Sequence, residues 1–152
     1  MAIDPARATA LEIEPLTVTL ERGRLAFFAK AIGQTDPIYS DIDAAKAAGH
    51  PDLPMPPTFV FSLELERPDP FTWLSALDVD LRRVLHGEQS FTYHSLMHAG
   101  DTVTLQPRIV DAFSKKGGAL DFLIKVTEVR RGGELVAEAR TTIVVQNPEV
   151  KA

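Results

Sequence analysis

One apolar run behind a pair of prolines limits the possible folds more than any other part of the sequence. Residues 55–65 read MPPTFVFSLEL. Pro57 suits the first position of a helix, because its fixed φ is helical and its missing N–H would have no partner inside the helix. The apolar residues of the run also alternate as they would in a strand, so periodicity alone leaves both structures open. The proline entry favours a short, buried helix that begins near Thr58.

The second half of the chain has the pattern of strands. Apolar and polar residues alternate in the segments 84–94, 102–113, 121–130 and 134–146, and glycine-containing turns separate them. A Gly100-Asp101 turn between the first two segments completes the pattern of an antiparallel meander of four strands. With one more strand near 15–20, the sheet has about five strands and an apolar face that needs cover. The sequence therefore predicts an α+β fold in which an antiparallel sheet wraps around a central helix.

The remaining N-terminal elements are short. Residues up to about Ala10 show no periodicity and are predicted to be a loose arm. Helical spacing predicts a helix over 21–31 that ends at Gly33, followed by an extended polar loop and a small helix that Asp41 caps and Gly49 ends. The predicted organisation is an arm over 1–13, one domain over 14–147 and a tail over 148–152.

Composition and charge exclude several classes of function. No apolar run approaches the roughly 18 residues of a membrane span, and the start of the chain has no signal-peptide pattern, so a cytoplasmic protein is expected. A net charge of −5 with scattered basic pairs disfavours nucleic acid as a partner. The chain has no cysteine, and its four histidines show no metal-ligand spacing, so neither a metal nor a cofactor is expected. Open edge strands predict pairing with a second copy or a related subunit.

Three motifs, in order along the chain, resemble the MaoC-like dehydratases. They are Gly33-Gln34-Thr35-Asp36-Pro37-Ile38-Tyr39, then Pro56-Pro57-Thr58-Phe59, and then the stretch 85–94 followed by Ala99-Gly100-Asp101. The chain is most similar to the N-terminal-type, fatty-acid-synthase-like dehydratase domain, over roughly residues 14–147. The resemblance implies a hot-dog fold. It also implies reversible addition of water to a trans-2-enoyl thioester of CoA or carrier protein, which gives the (3R)-hydroxyacyl form.

The loop that should carry the proton-transfer groups departs from the family pattern, which is G-D-x-N-P-x-H in active members. Gln34 stands at the Asp position and Tyr39 at the His position. Glutamine cannot act as a base, and a tyrosine of ordinary pKa, about 10, is a poor base near neutrality. In one interpretation Asp36 and Tyr39 form a substitute acid–base pair. In a second, the chain is the acyl-binding half of a heteromeric dehydratase, and a partner hot-dog subunit supplies the missing Asp and His. The chain itself is expected to form a homodimer, or a heterodimer with another hot-dog subunit. In a third, Asp36 only bonds nearby backbone amides and Tyr39 fills a gap in the core.

Other positions are candidates for binding the substrate. The backbone N–H groups of Thr58 and Phe59 lie at the predicted helix start, where they could hold the thioester oxygen. The resemblance places the stretch around His86, Gly87 and Gln89 at the site or at the dimer seam. Strand alternation predicts that His86 and Glu88 share one face while Gly87 and Gln89 share the other.

Two further functions are compatible with the predicted fold. One is a subunit that binds acyl thioesters, or scaffolds a catalytic partner, without catalysis of its own. The other is a hot-dog thioesterase, in which Glu64 on the central helix would direct water at the thioester carbonyl.

Overall fold

The computed structural model describes residues 3–150, which form one five-stranded antiparallel sheet and a set of short helices. The strands are β1 (Leu16–Thr19), β2 (Val84–Tyr93), β3 (Thr102–Lys115), β4 (Leu120–Arg131) and β5 (Glu134–Gln146). The α-helices are α1 (Pro5–Thr9), α2 (Arg22–Ala31), α3 (Ile42–Ala47), α4 (Val60–Leu63) and α5 (Thr72–Ser75). Single 3₁₀ turns cover Pro37–Tyr39, Pro57–Phe59, Glu64–Glu66, Leu81–Arg83 and Lys116–Gly118.

Residues 57–66 form the central helical segment, which consists of a 3₁₀ turn, α4 and a second 3₁₀ turn. Phe59, Val60 and Leu63 are buried, whereas Phe61 is 42% and Leu65 47% exposed. A strand would have placed Phe59, Phe61, Leu63 and Leu65 on one face, so this distribution of burial is helical. The predicted helix is confirmed.

The strand order is β1-β3-β4-β5-β2, so the meander contains three strands, β3 to β5, and the predicted four-strand meander is wrong. Strand β2 pairs with β5, three strand positions from β3. Three strand spacings correspond to a distance of about 14 Å between β2 and β3, which the stretch 94–101 can span. The stretch does not turn tightly, because it pairs with the chain just before Pro56: Met55 N–H donates to the Met97 carbonyl at 2.8 Å, and Ala99 N–H donates to the Leu53 carbonyl at 2.9 Å.

The start of the chain is ordered against the sheet, so the predicted loose arm is wrong for residues 3–10. Asp4 caps α1 through the N–H of Ala6, and Ala8 is fully buried against the core. The N–H of Ile3 donates to the buried carboxylate of Asp121 at 3.0 Å. Met1 and Ala2 lie outside the described residues.

The predicted extended loop between the helices is wrong at Pro37–Tyr39, which form a 3₁₀ turn, and the helices on either side of it are confirmed. Helix α2 ends before Gly33, whose φ of +74° suits a glycine beyond a helix end. Asp41 caps α3 by accepting the N–H groups of Asp43 and Ala44. The five strands and the central helical segment make up the hot-dog fold. None of the helices within residues 3–150 is long and apolar enough to span a membrane.

The core contains two apolar clusters. The first surrounds the start of the central helical segment and includes Phe59, Leu63 and Val129. The second includes Trp73 and Leu74 of α5, together with the more distant end of the sheet: Ile109, Leu123, Ile143, Val145. On β4, Leu123 and Val129 therefore belong to different clusters. The strand positions between them on the same face carry polar side chains.

Candidate functional site

A cavity of about 140 Å³ lies between the central helical segment and the sheet. Phe61, Leu65 and Leu85 line its exposed side, next to the edge strand β2. Its inner lining comes from α5 and from the face of β4 and β5 that meets the helix: Trp73, Leu74, Lys125, Ala139, Thr141, Ile143. His86 and Gln89 of β2 also line it. Because several strands and two helices meet here, this is a concave site with a mixed apolar and polar lining.

A β-bulge at Gly87 places His86 and Gln89 on the same face of the sheet. His86 pairs with Ile143, Glu88 with Thr142 and Gln89 with Thr141, so Gly87 is the extra residue. A Cβ at Gly87 would lie 3.0 Å from the Val144 side chain and 3.2 Å from the Thr142 carbonyl oxygen. The bulge shifts the alternation by one residue. The predicted grouping of His86 with Glu88, and of Gly87 with Gln89, is therefore wrong.

A polar row crosses three strands beneath the central helical segment. Gln89 of β2 pairs with Thr141 of β5, which pairs with Lys125 of β4. The Thr141 hydroxyl donates to the Gln89 side-chain oxygen at 2.7 Å. Residues directly opposite each other on neighbouring strands share a face, so the row runs from the sheet edge into the core.

Glu64 on the central helical segment meets the inner end of this row. Its carboxylate accepts hydrogen bonds from the Lys125 ammonium and the Thr127 hydroxyl. Lys125 is 8% exposed, and its Nζ lies 5.5 Å from the centre of the Trp73 ring. The ion pair is therefore almost buried between the two apolar clusters. Lys125, Thr141 and Trp73 were not among the predicted site residues. A lysine within the apolar run Leu123-Ile124-Lys125-Val126 was the available signal.

The Gln34–Tyr39 loop is on the surface, and none of its residues lines the cavity. The Asp36 carboxylate accepts the N–H of Ile38 at 3.1 Å and caps the Pro37–Tyr39 turn. The Gln34 side-chain oxygen accepts the N–H of Asp36 at 3.0 Å. Tyr39 is half-buried, and no hydrogen bond joins its hydroxyl to Asp36 within the part of the chain that the structure describes. These contacts order the loop locally.

The start of the central helical segment holds the predicted oxyanion donors. Phe59 N–H donates to the Pro56 carbonyl at 2.9 Å, so this amide is already engaged. The Phe59 ring is buried and lies 5.1 Å from the Phe28 ring of α2. Thr58 is exposed at the first turn. Its N–H has no acceptor among residues 3–150, so Thr58 is the better of the two donor candidates.

Tyr93 ties β2 to the same helix start. Its hydroxyl donates to the Pro57 carbonyl. Partial burial raises the pKa of Tyr93 to about 12, so the hydroxyl remains a donor at neutral pH. The Phe91 ring stacks beside Tyr93, and the Phe61 ring stacks on His86 at 5.1 Å. Together these contacts fix the edge strand against the central helical segment.

Two other histidines lie together, away from this cavity. His50 Nδ1 and His98 Nε2 are 3.2 Å apart, and burial lowers the pKa of His98. Within the described range 3–150, no group of three or more His, Asp or Glu side chains is placed to hold a metal ion.

Comparisons with known proteins agree with this fold. The family model described as "FAS1-like, dehydratase domain region" matches residues 7–139. A UPF0336 protein of Streptomyces coelicolor is 38% identical over 138 residues, which cover 89% of this chain and 91% of that protein. A UPF0336 protein of Saccharopolyspora erythraea is 36% identical over 135 residues, covering 87% and 85% of the two chains.

Two complexes from Mycobacterium tuberculosis contain chains of similar structure. One is the C-terminally truncated HadBC (3R-hydroxyacyl-ACP dehydratase) complex, with a TM-score of 0.73 and 25% identity over 88% of this chain and 93% of that one. The other is the ChsH1-ChsH2 complex, with a TM-score of 0.74 and 27% identity over 93% and 92% of the two chains.

Proposed function

Because the chain belongs to the FAS1-like dehydratase domain family, we propose that it is one subunit of a (3R)-hydroxyacyl-thioester dehydratase or enoyl-thioester hydratase. Its substrate is an acyl thioester of CoA or of an acyl carrier protein. A second hot-dog subunit supplies the Asp and His that this chain lacks. This chain contributes the cavity that holds the acyl group.

The observation that carries the proposal is the chemistry of the Gln34–Tyr39 loop. Asp36 is exposed and already caps the turn that follows it, and Gln34 accepts a backbone N–H. Neither contact leaves a base aimed at the cavity, and a glutamine amide does not take up a proton near neutrality. Water addition needs one group to deprotonate water and a proton source for the α-carbon. The partner is the source of both groups.

The edge strand β2 supports a partner of the same fold. One of its sides has no neighbouring strand within residues 3–150, and Leu85 on it is 50% exposed. Exposed Phe61 and Leu65 of the central helical segment extend this apolar edge. Such an edge is normally covered by another strand or subunit. The two similar chains, from HadBC and from ChsH1-ChsH2, were both found in complexes.

In the proposed reaction, hydroxide from the water bonds to the β-carbon and a proton bonds to the α-carbon, and the double bond between them becomes single. Negative charge develops on the thioester oxygen, and the N–H of Thr58, which has no acceptor among residues 3–150, is the donor proposed to bind it. His86 and Gln89 line the cavity, whereas Thr58 does not. Dehydration is the reverse sequence.

The thioesterase alternative is weaker because of the contacts that Glu64 makes. Both oxygens of its carboxylate accept hydrogen bonds, from Lys125 and from Thr127. These contacts hold the carboxylate against the sheet, as is typical of a residue that fastens the central helical segment to β4. Hydrolysis would release thiol, whereas hydration removes the enoyl absorbance without releasing it.

The test is a hydratase assay with crotonyl-CoA, on the chain alone and after co-expression with the hot-dog subunit that co-purifies with it. We expect little or no turnover by the chain alone and clear loss of enoyl absorbance by the pair. Asp36→Asn and Tyr39→Phe should leave the activity of the pair within about twofold, because neither group transfers a proton. Brisk turnover by the chain alone that either substitution abolishes would establish the substitute acid–base pair instead.

A further inference from the structure

We propose that the cavity binds an acyl chain that carries a hydroxyl group further along the chain than the C3 hydroxyl of the reaction itself, and that the Glu64–Lys125 pair recognises this hydroxyl. The inference rests on the proposed function, since it names the class of acyl group for the same site. The ion pair has an unusual position, between two apolar clusters and in the wall of a cavity.

The stability of the fold does not explain the pair. Removing two charges from water is costly, and well-packed apolar residues in place of a buried ion pair are often neutral or stabilising. On this face of β4, apolar side chains at the positions of Lys125 and Thr127 would join the clusters of Leu123 and Val129 into one core. The polar side chains instead interrupt the core at the point where the cavity lies.

The pair retains hydrogen-bonding capacity. A lysine ammonium has three donors, and within residues 3–150 only the Glu64 carboxylate accepts from Lys125. The Glu64 carboxylate can accept more than its bonds from Lys125 and Thr127. Because both residues line the cavity, this capacity is available to a ligand.

A hydroxyl group matches that capacity. It can accept a hydrogen bond from Lys125 and donate one to Glu64. An unsubstituted alkyl chain would displace water from both charged groups without replacing its hydrogen bonds, which is unfavourable. A carboxylate would meet the negative charge of Glu64, and the charge of Lys125 is already balanced. The hydroxyl is therefore the favoured substituent.

The rest of the lining suits an amphipathic ligand. The Gln89-Thr141-Lys125 row forms a polar wall that leads from the edge strand to the ion pair. Phe61, Trp73 and Ile143 offer apolar surface to methylene groups. A chain that entered beside β2 would thus place apolar carbons against these side chains and its hydroxyl against the polar wall.

Trp73 makes the test direct, because it is the single tryptophan of the chain and it lines the cavity. Tryptophan fluorescence of the full chain, with its partner subunit where one is identified, is titrated with hexanoyl-CoA and with its isomers hydroxylated at C4, C5 or C6. We expect at least one hydroxylated ligand to bind about tenfold more tightly than hexanoyl-CoA, the effect of one hydrogen bond to a charged group.

The matched variant is the double substitution Glu64→Leu with Lys125→Met, which removes both charges together. It should lose the preference for the hydroxylated ligand and bind hexanoyl-CoA at least as tightly as the unaltered protein. Circular dichroism checks its folding. If it does not fold, Thr141→Val, which keeps the side-chain shape, should reduce the preference severalfold.

The possible results separate this inference from the function on which it rests. If hexanoyl-CoA binds as tightly as every hydroxylated isomer, or if the double variant keeps the preference, the hydroxyl-recognition proposal is overturned while thioester binding stands. If no thioester changes the Trp73 fluorescence or binds by calorimetry, the proposed function fails and this inference fails with it.

Discussion

Gly87 decides which side chains of β2 face the cavity. As the extra residue of a bulge, it allows His86 and Gln89 to point to the same side, with Val144 and Thr142 packed closely over its Cα. A side chain at this position would have to push the β5 backbone or straighten the bulge. Either change would move Gln89 away from Thr141, so the polar row depends on a residue without a side chain.

Gly87→Ala should therefore lower the free energy of unfolding by roughly 1–3 kcal/mol, the usual cost of overpacking. The matched control is Gly23→Ala. Gly23 lies in α2, and a Cβ there would meet no atom within 4 Å. Because alanine favours helix more than glycine does, this change should stabilise the protein by up to about 1 kcal/mol. Urea unfolding of both variants measures the two changes in the free energy of unfolding. Equal changes would mean that a side chain fits at Gly87, contrary to the close packing described for the bulge.

The stability of the folded chain should depend on pH through the hydroxyl of Tyr93. Its pKa is about 12 in the folded chain, above the value of about 10 for an unfolded tyrosine. The unfolded state therefore loses this proton first, and stability should fall as the pH rises from about 10 to about 12. The chain has two tyrosines, so Tyr39→Phe leaves one tyrosinate signal to follow. If the Tyr93 hydroxyl of the folded Tyr39→Phe protein titrated with a midpoint near pH 10, the hydrogen bond from Tyr93 to the Pro57 carbonyl would be contradicted.

At the scale of elements, local sequence signals predicted most of the fold but not the pairing of β2. The proline pair, the caps at Asp41 and Gly33, and the alternating segments are local features, and the elements they predicted are present. The partner of β2 depends on contacts of Met97 and Ala99 with Met55 and Leu53, more than 40 residues earlier in the chain. The bulge at Gly87 depends in turn on that pairing. For this reason the cavity residues could not be assembled from sequence alone.

The contact between the central helical segment and β4 should show strong coupling between its two charges. Lys125→Met alone leaves the Glu64 carboxylate in an apolar setting and should cost roughly 3 kcal/mol of stability. Glu64→Leu combined with Lys125→Met should cost much less, because no unpaired charge remains. Chemical unfolding of Lys125→Met, of Glu64→Leu and of the double variant gives the coupling energy between the two residues. Additive effects would mean that the ion pair is not formed.

At the scale of the whole molecule, the open edge of β2 is the proposed surface for assembly with a partner. Leu85, Phe61 and Leu65 present an exposed apolar margin next to the mouth of the cavity, so a partner that covers this edge would also close the site. Substrate and partner would each cover apolar surface that borders the binding site of the other. Binding of one is therefore expected to favour binding of the other.

Leu85→Glu should consequently separate the subunits. A carboxylate at the edge must be desolvated when the partner binds, which weakens association by an order of magnitude or more. Val110→Glu is the control, because Val110 is also an exposed apolar residue but lies on β3, inside the sheet order and away from β2. Light scattering after gel filtration should show the Leu85→Glu chain at half the mass of the Val110→Glu chain, or without its co-purifying subunit. An assembly that survives Leu85→Glu but not Val110→Glu would place the partner on a different face, and the cavity would then need another means of closure.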